Sequence, residues 1–226
     1  MKWLAVETSS LFFSVAVSDG EKVLACLQKE GLGRPSTLLS DLIEEALKQT
    51  GLTLPQVDAF AVSAGPGSFT GLRVGVMTVK TLAWALRKPV LPVSSLEVAA
   101  QNIAVSPKDV LVYVDARKGK IYAALFSPDG KGGLRRAGPD ALLPPEEPLR
   151  RLTRPAAVLG DGLNKYGALL SAAGAAADPV PAELWVPRAD SLCRLAARQW
   201  PEGKVDDPHR LVPQYLYSQE SDITGK

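Results

Sequence analysis

The 226-residue sequence has one histidine and two cysteines, and these shortages exclude several kinds of site. Cys26 and Cys193 are far apart and show no CxxC spacing, which argues against both a disulfide framework and a thiolate metal site. His209 stands alone in a proline-rich tail, so it cannot form a histidine pair around a metal ion. The low cysteine content is typical of a protein of the reducing cytoplasm.

Strong net charge is also missing, because the formal value at pH 7 is only +2. We therefore expect no overall attraction to nucleic acid or to a membrane surface. The charge is uneven, since residues 117–154 contain nine lysines and arginines but only four acidic residues. Contact with an RNA backbone and simple solvation of loop charges both explain this excess.

Long apolar runs are absent too. The N-terminal run in "MKWLAVETSS" is too short for a signal peptide, and the longest apolar helix contains Arg73 and Lys80. We expect no membrane span.

The pattern of apolar residues predicts the element order βββαβαβα for the first part of the chain. Residues 2–28 form three short strands, an antiparallel meander with a turn at Asp19-Gly20. An amphipathic helix follows, with Ser36 as its N-cap and Gly51 just past its end. A strand, a glycine-rich loop and a second helix over residues 70–87 come next, then a further strand and helix.

The opening pattern recurs after residue 108, which predicts two lobes built on one plan. "VLVYVDARKGKIYAALFSPDG" can be laid on "KWLAVETSSLFFSVAVSDG" with Asp115 over Glu7. Prolines interrupt the second copy where the first has its helix, so the second lobe is reduced. We predict an α/β protein with an N-terminal lobe at 1–106 and a C-terminal lobe with its tail at 107–226.

The loop in "AVSAGPGSFTGLRVG" lies between a strand and the second helix. Its glycines do not match a P-loop, because Leu72 and Arg73 stand where a lysine and a serine or threonine are needed. The spacing favours a tight turn with Thr70 as the helix N-cap over a phosphate site.

The sequence closely resembles the TsaB (YeaZ) family. The resemblance rests on "LAVETSS", "AVSAGPGSFTGLRVG", "LAWALRKPVLPVSSLE", "VYVDARKGKIYAALF", "VLGDG" and "LVPQYL", in order along nearly the whole chain. It implies the actin-like fold shared with Hsp70 and sugar kinases. It also implies a subunit that binds TsaD and supports transfer of a threonylcarbamoyl group to N6 of the adenosine beside the anticodon of tRNA. Further implied partners are the ATPase TsaE, a second copy of the chain when TsaD is absent, and tRNA within the complex.

Catalysis by the chain itself is not expected. The related catalytic subunit TsaD resembles this chain in its first lobe but has a histidine pair at i and i+4, and two such histidines can bind one metal ion. Ser95 and Ala99 occupy those positions here. No Ser-x-x-Lys or Gly-x-Ser-x-Gly pattern offers a nucleophile either. The resemblance therefore implies a non-catalytic subunit with no metal and no required cofactor.

A nucleotide site is the alternative that the residues leave open, with ATP or ADP in the cleft or at a complex interface. Glu7 and Asp115 align with acidic residues that organise Mg²⁺ in kinases of this fold, although each could instead cap its own turn. The candidate residues are Glu7, Thr8, Ser9, Gly65, Gly67, Ser68 and Asp115. An ATP-dependent kinase or ATPase is thus the second hypothesis. A Rossmann oxidoreductase fits worst, because the glycine-rich loop follows the fourth strand.

The second helix is apolar nearly all round, which predicts that something besides its own sheet covers it. Deep burial within the lobe is the other explanation. The resemblance implies that the first and second helices pair with the matching helices of TsaD, and Gly71 and Gly75 would allow close approach. A charged residue at Gly75 or Val76 should then abolish pairing. The predicted interface residues are Leu39, Leu42, Ile43, Ala46, Gly71, Leu72, Gly75, Val76, Met77, Val79 and Ala83.

Overall fold

The structure, a computed structural model, describes residues 1–31, 33–200 and 207–217. The chain divides into two compact units. The first comprises Met1–Val98 and Pro187–Pro213, and the second comprises Ala99–Val186 together with the described residues from Gln214 onwards. This division differs from the predicted lobes, 1–106 and 107–226, mainly because residues 187–213 return to the first unit. That residues 1–106 and 107–226 each form a folding domain stays a prediction.

The elements are as follows. The strands are β1 (Lys2–Glu7), β2 (Phe12–Asp19), β3 (Lys22–Glu30), β4 (Ala59–Gly65), β5 (Val90–Ser94), β6 (Asp109–Arg117), β7 (Lys120–Pro128), β8 (Leu134–Arg136), β9 (Ala141–Leu143), β10 (Ala156–Leu159) and β11 (Ala177–Pro179). The helices are α1 (Pro35–Thr50), α2 (Phe69–Leu86), α3 (Ser95–Ala100), α4 (Glu146–Arg150), α5 (Gly162–Tyr166) and α6 (Ala189–Gln199). Short 3₁₀ segments lie at Leu54–Gln56, Gln101–Ile103, Gly167–Ala176 and Ala182–Leu184.

The first unit is built on a five-stranded sheet in the order β3-β2-β1-β4-β5. β1, β2 and β3 pair antiparallel, which confirms the predicted meander, whereas β1, β4 and β5 are parallel. Parallel neighbours need a crossover, and α1 and α2 supply it. The predicted order βββαβαβα is confirmed for this part of the chain.

Both faces of this sheet are covered, because side chains alternate along each strand. Leu4 and Val6 of β1 pack in one cluster with α1 and α2. Trp3 and Ala5 point the other way and pack in a second cluster with Leu192 of α6. Helix α6 thus completes the core of the first unit, which explains why the chain returns there.

The helix ends differ from two sequence expectations. α1 begins at Pro35 after Arg34, without a side-chain cap, so the prediction of Ser36 as N-cap was wrong. Proline suits the first helical position, because its missing N–H would have no partner there. Gly51 follows the last residue of α1, as predicted, and it has the left-handed conformation. α2 is capped by Ser68, whose hydroxyl accepts from the amide of Gly71, so the prediction of Thr70 as its cap was wrong.

The second unit repeats the plan with shorter helices. Its sheet has the order β11-β10-β6-β7-β8, with β9 also paired to β7. β6 and β7 are antiparallel, and β6, β10 and β11 are parallel, which matches β1, β2, β4 and β5. α4 and α5 have five residues each where α1 and α2 have 16 and 18. The predicted fold class, with a reduced second copy, is confirmed.

Candidate functional site

The turn after β1 and the glycine-rich loop before α2 pack directly on each other. The amide of Ser68 donates to the carbonyl of Ser9 at 2.7 Å. The hydroxyl of Thr8 donates to the carbonyl of Gly71 at 2.8 Å, in a fully buried position. We call this the turn–loop contact, formed by residues 7–9 and 67–75. It unites most of the residues predicted to bind nucleotide.

Three glycines of the turn–loop contact are needed because the two segments approach so closely. A Cβ on Gly67 would lie 2.4 Å from the carbonyl oxygen of Ser9. A Cβ on Gly71 would lie 2.0 Å from the carbonyl oxygen of Thr8, and one on Gly75 would lie 2.1 Å from its hydroxyl. All three separations are far below van der Waals contact. The glycines therefore fit the loop to the turn of its own unit.

Several amides at the start of α2 already bond to protein acceptors. The amide of Ser68 bonds to Ser9, and the amides of Gly71 and Leu72 bond to the hydroxyl and carbonyl of Ser68. An anion at a helix N-terminus needs these amides, so the geometry favours the tight-turn interpretation. Gly65 has φ of 123°, a conformation suited to glycine. Nucleotide binding by Gly65, Gly67 and Ser68 stays a prediction.

Glu7 is the buried acid of the turn–loop contact, with no exposed surface. One carboxylate oxygen accepts from the amide of Ser9 at 2.6 Å and from its hydroxyl at 2.5 Å. The other accepts from the hydroxyl of Ser63 on β4. Burial raises the pKa of Glu7, and the serine donors oppose that shift. Glu7 therefore caps its own turn, as one of the two sequence interpretations proposed.

Replacing Glu7 by glutamine is expected to remove a pH dependence of stability. The pKa of Glu7 is raised in the folded state, so the folded chain keeps a proton that the unfolded chain releases above about pH 4.5. The contribution of Glu7 to the free energy of unfolding should thus be largest at low pH and fall as pH rises through the raised pKa. Glutamine can accept from Ser9 and donate to Ser63. Urea denaturation of both proteins between about pH 5 and about pH 8 should show the glutamine variant gaining relative stability with rising pH. A constant difference would contradict this account.

Asp115 has an equivalent place in the second unit. One carboxylate oxygen accepts from the amide of Arg117 at 3.0 Å, and its own amide donates to Asp161 at 2.9 Å. Burial raises the pKa of Asp161, and the nearby carboxylate of Asp115 adds to the shift. Gly160 packs on the strand as the first-unit glycines do, because a Cβ there would lie 2.3 Å from the carbonyl oxygen of Tyr113. Sequence reasoning missed Asp161, although the motif "VLGDG" contains it.

Helix α2 presents an exposed apolar stripe on the side away from the sheet. Phe69, Met77 and Trp84 are 52%, 55% and 61% exposed. Arg73 is exposed between them, with its guanidinium 3.8 Å from the centre of the Phe69 ring. We call these four residues the outer face of α2. A cavity of about 830 Å³ adjoins it at Trp84, lined also by Arg87, Lys88 and His209. Within the described residues, no helix is long and apolar enough to cross a bilayer.

Burial in the first unit bears on the predicted interface residues, whose role in pairing stays a prediction. A side chain that is already buried in the core of its own unit has little surface left to bury against a partner. Met77 alone of the predicted set is exposed. The other ten are buried in the first unit: Leu39, Leu42, Ile43, Ala46, Gly71, Leu72, Gly75, Val76, Val79 and Ala83. The other residues of the outer face, Phe69, Arg73 and Trp84, were not among the residues predicted from the sequence.

The two positions where the catalytic relatives have a histidine pair are taken up by other contacts in this chain. The hydroxyl of Ser95 donates to the carbonyl of Pro66 in the glycine-rich loop. Ala99 is buried. Among the described residues, no group of three or more histidines, cysteines or acids could hold a metal ion. The residues present therefore do not fit a metal centre of the histidine-pair kind.

Known structures share this architecture. YeaZ from Pseudomonas aeruginosa superposes with a TM-score of 0.80 at 29% identity, covering 95% of this chain and 99% of that one. An activator of 2-hydroxyisocaproyl-CoA dehydratase from Clostridium difficile, solved with ADPNP bound, has a TM-score of 0.52 at 11% identity. These likenesses define the class: the chain has the actin-like fold of Hsp70 and sugar kinases, in a form with a reduced second unit.

The family follows from the sequence comparison. A family model described as TsaD, tRNA N6-adenosine threonylcarbamoyltransferase, matches residues 35–155, and the chain belongs to this family. Its full-length similarity is to proteins named tRNA threonylcarbamoyladenosine biosynthesis protein TsaB. The one from Escherichia coli K12 is 28% identical, covering 96% of this chain and 94% of that protein. The one from Bacillus subtilis 168 is 29% identical, covering 98% and 96%. The resemblance to TsaB found in the sequence is confirmed.

Proposed function

We propose that the chain acts in tRNA threonylcarbamoyladenosine biosynthesis as a non-catalytic subunit that pairs with a TsaD-like catalytic subunit. The names of the TsaB relatives, similar over nearly the whole chain, support the pathway. The outer face of α2 is the observation that supports pairing. A large apolar surface on an ordered helix favours a protein partner, because its exposure to water is unfavourable.

The contact would centre on Met77, with Phe69 and Trp84 on either side of it. Aromatic residues, methionine and arginine are enriched at protein interfaces, and the outer face consists of these types. A stable interface buries roughly 1,600 Å² in total, which is more than one helix offers. The exposed side of α1 would extend it, and that side is polar. Thus α2 supplies the apolar centre and α1 the rim.

The mechanism would be conformational. A partner that binds only the ordered form of the catalytic subunit shifts that subunit toward its active form. A joint surface of the two subunits would then receive a TsaE-like ATPase and tRNA. When no catalytic subunit is present, the outer face would pair with a second copy of this chain, because the same apolar surface is then uncovered.

Pairing can be tested by mixing the full chain with the TsaD-like subunit of its own source. We expect a one-to-one complex by analytical ultracentrifugation, formed at the expense of any homodimer. Two species that sediment independently at micromolar concentration would contradict the proposal.

The ATP-binding alternative gains no specific support from the geometry. Glu7 has no exposed surface and is bonded to Ser9 and Ser63, so it does not reach a ligand in solvent. Specific binding of Mg-ATP that is lost when Asp115 is replaced by alanine would support the ATP-binding alternative.

A further inference from the structure

The turn between β6 and β7 carries three cationic side chains on four consecutive exposed residues, Arg117 to Lys120. The side chain of Arg117 is 85% exposed and forms an ion pair with the carboxylate of Asp115 at 3.4 Å. Elsewhere in the basic stretch, Arg136, Arg151 and Arg154 form ion pairs with Asp140, Glu147 and Asp109. The turn therefore presents three of the nine cations of this stretch to solvent within four residues.

The backbone of this turn has a conformation that its residues do not favour. Arg117, Lys118 and Gly119 have φ of 67°, 48° and 72°, all in the left-handed region. A two-residue hairpin turn with positive φ at both positions is best made by Asn-Gly, whereas Lys118 occupies the first position here. Arg117 adds a register shift after Asp115. Residues held in a backbone conformation that is unfavourable for their type often lie at functional sites.

Contacts from the tail hold the turn in place. The hydroxyl of Tyr217 lies 3.0 Å from the carbonyl oxygen of Ala116 and 3.1 Å from that of Arg117, and donates to one or the other. The ammonium groups of Lys118 and Lys120 lie 5.9 Å and 5.8 Å from the centre of the Tyr217 ring. The cations are thus gathered around one aromatic ring, which reduces the entropy lost on binding an anion.

We propose that the β6–β7 turn, residues 117–120, is a contact for the phosphate backbone of RNA, with Tyr217 as its positioning residue. The choice of RNA over an acidic protein rests on the proposed function, whose substrate is a tRNA. Convex geometry supports a polymer rather than a small nucleotide, because the cations stand on an exposed turn and not in a pocket. Contacts of this kind position the RNA and carry little sequence preference.

The test compares two double variants of the full chain that each remove two positive charges. Lys118→Asn with Lys120→Gln alters the turn, and asparagine suits its left-handed position, so folding is preserved. Lys131→Asn with Arg135→Gln removes two exposed cations of the same basic stretch, away from the turn, and is the matched control. Binding of labelled unmodified tRNA is measured as a function of salt concentration, for the chain alone and with the TsaD-like subunit.

We expect the turn variant to bind tRNA roughly tenfold more weakly, with the slope of log affinity against log salt reduced by about 2. The control should change affinity less than twofold. Tyr217→Phe, which keeps every charge, should weaken binding with little change in slope.

Equal binding by the two double variants would overturn the inference, as would no tRNA binding by the wild type in either setting. Competition by polyglutamate as effective as by an RNA homopolymer of equal length would also overturn it, in favour of an acidic protein. Pairing is read separately by ultracentrifugation. A turn variant that pairs normally but binds tRNA poorly supports both proposals, and loss of pairing in the wild type removes only the proposed function.

Discussion

Replacing Met77 by aspartate is expected to abolish pairing with a TsaD-like subunit while leaving the chain folded. Met77 is 55% exposed at the middle of the outer face of α2. A carboxylate buried at the centre of an apolar contact loses its hydration, which is unfavourable. Loss of a central interface residue typically raises the dissociation constant roughly 30-fold or more, which corresponds to about 2 kcal/mol.

The variant should fold normally, because substitutions of exposed residues change stability by about 0.5 kcal/mol. Calorimetry gives the dissociation constant, and circular dichroism confirms the helix content. Leu24→Asp is the matched control, since Leu24 is a 43% exposed apolar residue on β3 of the same unit. Val76→Asp, one position away, replaces a fully buried side chain and should unfold the unit instead. Wild-type affinity in Met77→Asp would remove the outer face of α2 from the interface.

Gly71→Ala is expected to destabilise the first unit by about 2 kcal/mol or more. The new Cβ would lie 2.0 Å from the carbonyl oxygen of Thr8, and this backbone atom cannot move away as a side chain can. Overpacking of this kind costs about 3 kcal/mol, and the better helix propensity of alanine recovers about 1 kcal/mol. Any shift of the turn also strains the bond from the Thr8 hydroxyl to the carbonyl of Gly71. Urea denaturation should show a lower midpoint at an unchanged slope.

A second pair of variants separates this explanation from a general intolerance of larger residues. The clash in Gly75→Ala is with the hydroxyl of Thr8, so Thr8→Ala should partly rescue it. Thr8→Ala should not rescue Gly71→Ala, where the clash is with the backbone. Gly138→Ala is the neutral control, because no atom lies within 4 Å of a Cβ at that position. Equal stability of Gly71→Ala and Gly138→Ala would contradict the role assigned to the turn–loop contact.

These contacts also change which substitutions report on pairing. A charge at Gly75 or Val76, expected from the sequence to break the interface, would disrupt the core before any partner is met. Both residues are buried in the first unit. Met77 is the position where folding and pairing can be measured independently.

Periodicity was sufficient to predict most of the first unit. Short apolar runs bounded by turn residues predict β1 and β2, and the spacing of apolar residues in α1 predicts one buried face. Repetition of the opening pattern predicts the second sheet. The return of α6 to the first unit was not predictable, since an amphipathic helix does not specify which sheet it covers.

The candidate site was only partly predictable, for a physical reason. α2 is apolar on nearly every side, so its pattern does not distinguish Val76, which is buried, from Met77, which is exposed. Gly71 and Gly75 suggest close approach, but the sequence cannot show that Thr8 approaches rather than a partner helix. Ser63 was recoverable in principle, because a serine in the buried strand "AFAVSAG" needs a polar partner, and Glu7 supplies it.

The most direct test of the proposed role is threonylcarbamoyl transfer to tRNA by the purified TsaD-like subunit. The threonylcarbamoyl donor and a TsaE-like ATPase are supplied throughout, and this chain is omitted, added as wild type, or added as Met77→Asp. The account predicts product only with the wild type, and none above background in the other two reactions. Equal product without the chain would contradict its role as a required subunit, and full product with Met77→Asp would contradict the outer face of α2 as the surface through which it acts.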